Sequence, residues 1–205
     1  MRKFGVVLAG LLLCLSLSLS ARAMSSVSLG FGATYLPPMD ESFSSGMEDS
    51  RNWILSGELN GRFLFLQTQG MVLLTKSEEE TLAVQMIGLA GLNLPIVGSW
   101  LLVELSGGVG LRYVPKNQGV DYPYYVLSGG EKAAADELSF LDAVLQSPIY
   151  LQMGIGADLG PLGLRARYLI ETNQTIEQVI EKGQWWEIFV PNTGCLSLAV
   201  LLKMK

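Results

Sequence analysis

Apolar and polar residues alternate with a period of two along most of the chain. Between Ser26 and Tyr35 the larger apolar side chains, Val27, Leu29, Phe31, Ala33 and Tyr35, hold the odd positions, while serine, glycine and threonine hold the even ones. Successive side chains of a strand point to opposite faces, so this pattern predicts a strand whose two faces meet different surroundings. The pattern recurs. Trp53, Leu55, Leu59, Phe63 and Phe65 oppose Ser56, Glu58, Asn60 and Arg62, and Leu101, Val103, Leu105, Val109, Leu111 and Tyr113 oppose Glu104, Ser106 and Arg112. Ile149, Leu151, Met153, Ile155 and Leu159 oppose Gln152, Gly154, Gly156 and Asp158. Leu162, Leu164, Ala166, Tyr168 and Ile170 oppose Arg165, Arg167 and Glu171, and Leu196, Leu198, Val200, Leu202 and Met204 oppose Ser197 and Lys203. Less regular strands are expected near 69–75 and 82–94, the second with Gln85 and Asn93 on its minor face.

Eight strands joined alternately by short and long connections form an all-β, eight-stranded antiparallel up-and-down transmembrane β-barrel. The short joins are expected near Gln67, at 95–99 and at Gly160-Pro161, where glycine and proline supply turn geometry. The long loops run about 36–50, 114–147 and 173–192, with a brief acidic loop at 76–80. Charge placement tests this frame. With outward faces set by apolar residues alone, Glu58, Arg62, Glu104, Arg112, Asp158, Arg165, Arg167, Glu171 and Lys203 all fall on the other face. A charge on a lipid face costs roughly 2–4 kcal/mol at the bilayer midplane, so a membrane barrel demands that sorting.

Two other architectures fit less of the chain. A soluble barrel with an apolar interior would alternate in the same way. Its solvated face would carry Lys, Glu and Thr, whereas here Ser26, Ser28, Gly30, Gly32, Gly108, Gly110, Gly154 and Gly156 suit a crowded interior. The segment 81–103 has no charge and is long enough for a spanning helix, yet Pro95 would break it, and Asn93-Leu94-Pro95 reads as a strand entering a turn. Aromatic residues at strand ends (Tyr35, Trp53, Tyr113 and Tyr168 at one end, Phe63 and Phe65 at the other) match interfacial girdles.

Composition narrows the chemistry. The 205 residues include no histidine, which removes His-based triads and His-ligated metal sites and points away from an enzyme. No cofactor or metal site is expected. A net charge of −5 argues against nucleic acid, whose phosphates call for clustered cations. Residues 1–23 read as a cleaved signal peptide: Arg2 and Lys3, an apolar stretch over 4–19, then Ala21-Arg22-Ala23 with small residues at −3 and −1. Cleavage there begins the mature barrel, 24–205, at Met24, removes Cys14 and leaves Cys195 without an intramolecular partner.

The signal ending Ala21-Arg22-Ala23, the opening strand Ser26-Val27-Ser28-Leu29-Gly30-Phe31-Gly32 and the alternating closing strand 196–204 resemble those of the small eight-stranded outer-membrane barrels of the OmpX, OmpA-domain and OmpW type. The opening strand and a partly apolar interior lean towards the OmpW type. The closing residues, Leu202-Lys203-Met204-Lys205, depart from the aromatic finish common in such barrels. The resemblance implies a bacterial outer-membrane location, contact with outer-membrane lipid and the barrel-assembly machinery, and a narrow porin-like channel for small, hydrophobic molecules. In that channel Ile54, Leu64, Val72, Leu74, Ile87 and Leu89 would line a greasy passage, and Glu58, Arg62, Glu104, Arg112, Arg165 and Arg167 would set charge selectivity. The alternative is a structural or adhesive protein with a plugged barrel, acting through loops on a host surface ligand. Substrate and oligomeric state are left open by the sequence.

Overall fold

The computed structural model describes residues 25–36, 43–76, 82–98, 100–116, 120–183, 188 and 191–204. The segment read as a signal peptide, 1–23, and parts of the loops expected at 36–50, 76–80 and 173–192 lie outside them. Eight long antiparallel strands follow the chain: β1 (Ser25–Tyr35), β2 (Trp53–Phe63), β3 (Leu66–Lys76), β4 (Leu82–Val97), β5 (Leu101–Val114), β8 (Pro148–Leu159), β9 (Leu162–Thr175) and β10 (Pro191–Met204). Each pairs with its predecessor, β1 pairs with β10, and β4 pairs with β5, so the ring closes and leaves no edge. The β1–β10 seam is continuous in register from Val27 against Met204 to Tyr35 against Leu196.

The short turns and both ends of the described barrel gather at one rim, and the long connections at the other. The β8–β9 turn uses Gly160 at φ 66°, a left-handed conformation that glycine adopts without penalty. Loop elements decorate the opposite rim. They are α1 (Phe43–Glu48), the hairpin β6 (Tyr124–Val126) and β7 (Lys132–Ala134), α2 (Phe140–Leu145) and α3 (Ile176–Lys182). Thr175 caps α3 through a capping box with Gln178, and left-handed Gly183 ends it. The segment from Lys132, inside the connection expected at 114–147, pairs with β6, where Lys132 lies over the Tyr124 ring at 5.2 Å.

One strand departs from the sequence frame. The β2–β3 turn is Leu64-Phe65, about three residues before the expected join near Gln67, and Leu64 holds φ 56° without being glycine. Leu64 therefore sits in the turn, where its carbonyl accepts from Arg62 Nε at 3.2 Å, and does not line a passage. The shift reverses the phase of β3. Odd residues Gln67, Gln69, Met71, Leu73 and Thr75 are buried, while Val72 and Leu74, expected inside, are 47% and 54% exposed on the outer wall. A one-residue slip moves every side chain of a strand to the other face. The physical cause is plain: Met71-Val72-Leu73-Leu74 is apolar in both phases, so periodicity has nothing to register.

Candidate functional site

The interior of the ring is the candidate site, and its walls come in size-matched pairs. A Cβ at Gly156 would meet the side chain of Arg165 at 2.7 Å, one at Gly154 the side chain of Arg167 at 2.8 Å, and one at Gly110 the ring of Tyr150 at 2.3 Å. Gly156 and Gly154 stand opposite Arg165 and Arg167 in register, so the small residues make room for the long ones. An eight-stranded barrel is just wide enough for side chains to fill it, and here they do.

Nearest the turn rim lies a continuous ion-pair network drawn from β2, β5, β8, β9 and β10. Arg167 donates through Nη1 to Glu58 at 2.6 Å and through Nε to Glu104 at 2.6 Å. The other oxygen of Glu104 accepts from Arg165 Nε at 2.7 Å, and Arg165 Nη2 reaches Asp158 at 2.7 Å. Asp158 also receives Lys203 at 2.7 Å and Arg62 at 3.5 Å. Three carboxylates thus face four cations, with the Arg167 and Glu104 side chains each only 1% exposed. Charges withdrawn this far from water persist only when paired and hydrogen-bonded.

Amides extend the network. Asn93 donates to Gln67 at 3.0 Å and to Glu104 at 3.2 Å, while Gln152 donates to Gln69 and to Ser106, both at 3.1 Å. Six buried polar atoms among the described residues have no protein partner: Ser56 Oγ, Glu58 Oε1, Gln67 Nε2, Asn93 Oδ1, Arg112 Nε and Gln152 Oε1. All belong to inward positions, which is where a bridging water would find its partners.

Towards the loop rim the network gives way to an apolar layer of Met71, Leu73, Ile87, Leu89, Tyr150 and Leu169, with Ile54 and Cys195 packed against it. Beyond it, Gln85 donates to the Tyr150 hydroxyl at 2.7 Å, which in turn donates to Glu171. Arg112 is half-buried on the same inward face of β5.

Of the charged residues picked from sequence, Glu58, Arg62, Glu104, Asp158, Arg165, Arg167 and Lys203 come together in one network. Glu171 and Arg112 stand apart from it, nearer the loop rim. Ile54, Ile87 and Leu89 lie in or against the apolar layer, whereas Leu64, Val72 and Leu74 do not. Met71, Leu73, Tyr150 and Leu169 complete the layer without having been singled out as lining. Gln67 and Gln69 carried the signal for two of them. Two amides two residues apart, flanked by Leu66, Thr68 and Gly70, set the odd phase that puts Met71 and Leu73 inside. Among the described residues no group of acidic and cysteine side chains is arranged to hold a metal ion.

No protein-family model matches this chain, and no curated protein sequence matches it. Among solved structures it is similar to the N-terminal β-barrel domain of Pseudomonas aeruginosa OprF, with a TM-score of 0.52 and 9% identity over 89% of this chain and 100% of that domain. At that identity the likeness concerns the fold: a closed, eight-stranded antiparallel barrel.

Proposed function

We propose that the chain is an integral outer-membrane β-barrel with a filled lumen, a non-catalytic anchor that presents its long loops at the cell surface. One observation carries this reading: ion pairs and amides fill the interior near the turn rim, and an apolar layer of Met71, Leu73, Ile87, Leu89, Tyr150 and Leu169 lies above them. A continuous passage would have to cross both. The apolar outer wall, with Phe31, Leu55, Leu59, Ile155 and Val200 exposed, and the likeness to an outer-membrane barrel domain support the membrane setting. The signal-like segment 1–23 supports export, with lipid and the assembly machinery as partners and the loops as the contact for any surface ligand.

A narrow channel for small hydrophobic molecules is the second reading, and the six unpartnered lumen atoms favour it, since they would line a wet path if the arginines swung aside. Planar-bilayer recording separates the two. Purified, refolded protein is expected to leave the bilayer silent across lipid compositions and voltages. Discrete conductance steps that shrink on Leu89→Trp would overturn the filled-lumen reading in favour of the channel.

A further inference from the structure

Leu111 stands on the outward face of β5, in line with Val109 and Leu105, yet it is buried. What covers it is the β5–β8 connection. Leu127 and Ala143 pack onto it, with Val144 and the neighbouring wall residue Met86, its register partner on β4. The connection therefore folds against the outside of the barrel near the loop rim, and α2 (Phe140–Leu145) becomes part of the wall. Two more apolar side chains of α2 stay exposed: Phe140, on the same face as Val144 one turn on, is 60% exposed, and Leu141 beside it 66%. Asp142 borders a space shared with Leu145 and Gln146 and with Glu177, Ile180 and Glu181 of α3, so three carboxylates stand at the edge of this apolar surface. An amphipathic segment disposed in this way suits a boundary between hydrocarbon and water.

The wall beneath α2 is indented. Gly70 and Gly88, register partners on β3 and β4, leave a hollow of about 680 Å³ that Phe140 and Val144 border on one side and Phe31 and Val72 on another. Phe140 is thus continuous with the apolar band of the barrel, and what covers Phe31 and Val72 extends to Phe140.

We infer that α2 is an interfacial lipid contact: Phe140 and Leu141 lie among the acyl chains of the outer leaflet and extend the lipid-facing surface over β4 and β5. This rests on the membrane-barrel reading proposed above. The test places a nitroxide on single cysteines of the full chain, with Cys14 and Cys195 replaced by serine, in phosphatidylcholine vesicles. Leu141→Cys reports on α2, Phe31→Cys on the barrel wall and Glu131→Cys on an exposed loop position, and β-sheet circular dichroism verifies folding of each. Collisions with molecular oxygen are expected to exceed those with a water-soluble nickel chelate severalfold at 141 and at 31, with the order reversed at 131. A lipid signature at 31 with a water signature at 141 would overturn the α2 assignment alone. Shielding of 141 from both reagents would overturn it too, because a protein neighbour would then cover the helix. Water signatures at both 31 and 141 would overturn the membrane-barrel reading with it.

Discussion

The two halves of the lumen solve the same packing problem with opposite chemistry. Near the turn rim, Glu58, Arg167, Glu104, Arg165 and Asp158 fill the interior through hydrogen bonds of 2.6–2.7 Å, each fixed in direction by its partner. Near the loop rim, Met71, Leu73, Ile87, Leu89 and Leu169 fill it through undirected contact. The ionic half tolerates no change of one member, since removing a partner strands a charge. The apolar half tolerates small losses of volume. The lesson is that the ionic half specifies which strands meet, and the apolar half supplies adaptable bulk.

The largest break in that contrast comes from Arg167→Met. It leaves Glu58 with only amide donors, Asn60 at 3.2 Å and Gln69 at 3.5 Å, in place of a cation. Breaking a buried pair this way costs about 3–5 kcal/mol, to be read from urea-driven folding equilibria in lipid vesicles. Adding Glu58→Gln to Arg167→Met is expected to recover part of the loss, because the stranded charge is then gone. Ile87→Val, in the apolar half, trims one methylene and is expected to cost about 0.5–1.5 kcal/mol. If Ile87→Val proved as damaging as Arg167→Met, the distinction between the halves would fail.

The phase of β3 offers the next largest effect. Val72 lies near the middle of its strand, against Gly57 on one side and Met86 on the other, and points outward. Val72→Arg should therefore cost about 2–4 kcal/mol in vesicles, the range for a cation on a lipid face near the midplane. A near-neutral result would take residue 72 off the lipid face and return β3 to the phase read from sequence.

That strand also marks the limit of what the sequence made legible. β1 was readable because Val27, Leu29 and Phe31 alternate with serine and glycine, and the charged faces of β2, β5, β8 and β9 were readable for the same reason. β3 was harder to read, because its apolar run has no phase, Leu64-Phe65 carries none of the residues that mark a turn, and only Gln67 and Gln69 set the phase. The faces of the charges were legible, but their partners were not. Arg167 meets Glu58 across 109 residues of sequence, a meeting set by strand stagger around a closed ring. Tyr35, read as a girdle residue, is instead fully buried and packed against Trp53, the ring centres 5.6 Å apart and the planes tilted by 44°. Trp53 donates in turn to the carbonyl of Met47 in the loop, a contact that period-two reasoning does not reach.

The smallest effect sharpens the comparison from outside the barrel. Asp49 and Arg51 form a pair with the short geometry of the lumen contacts, Nη2 to Oδ2 at 2.5 Å, but Arg51 is 87% exposed. Hydrogen bonds from the Arg51 side chain and backbone N–H hold the Asp49 carboxyl down at about 2, against 3.8 ordinarily, and Asp49 caps the short helical turn that begins at Ser50. A depressed carboxylate stabilises the fold above its ordinary value, and that contribution disappears as pH falls through about 2. Solvent screens an exposed pair, so its worth is local. Asp49→Asn is expected to speed hydrogen exchange at the Arg51 amide and leave the urea midpoint of the barrel where it was. Acidification from pH 4 to below 2 should produce the same local opening in the wild-type loop and none further in the Asp49→Asn variant. A fall in the urea midpoint comparable to that of Arg167→Met would mean that burial inside the barrel does not distinguish the two ion pairs.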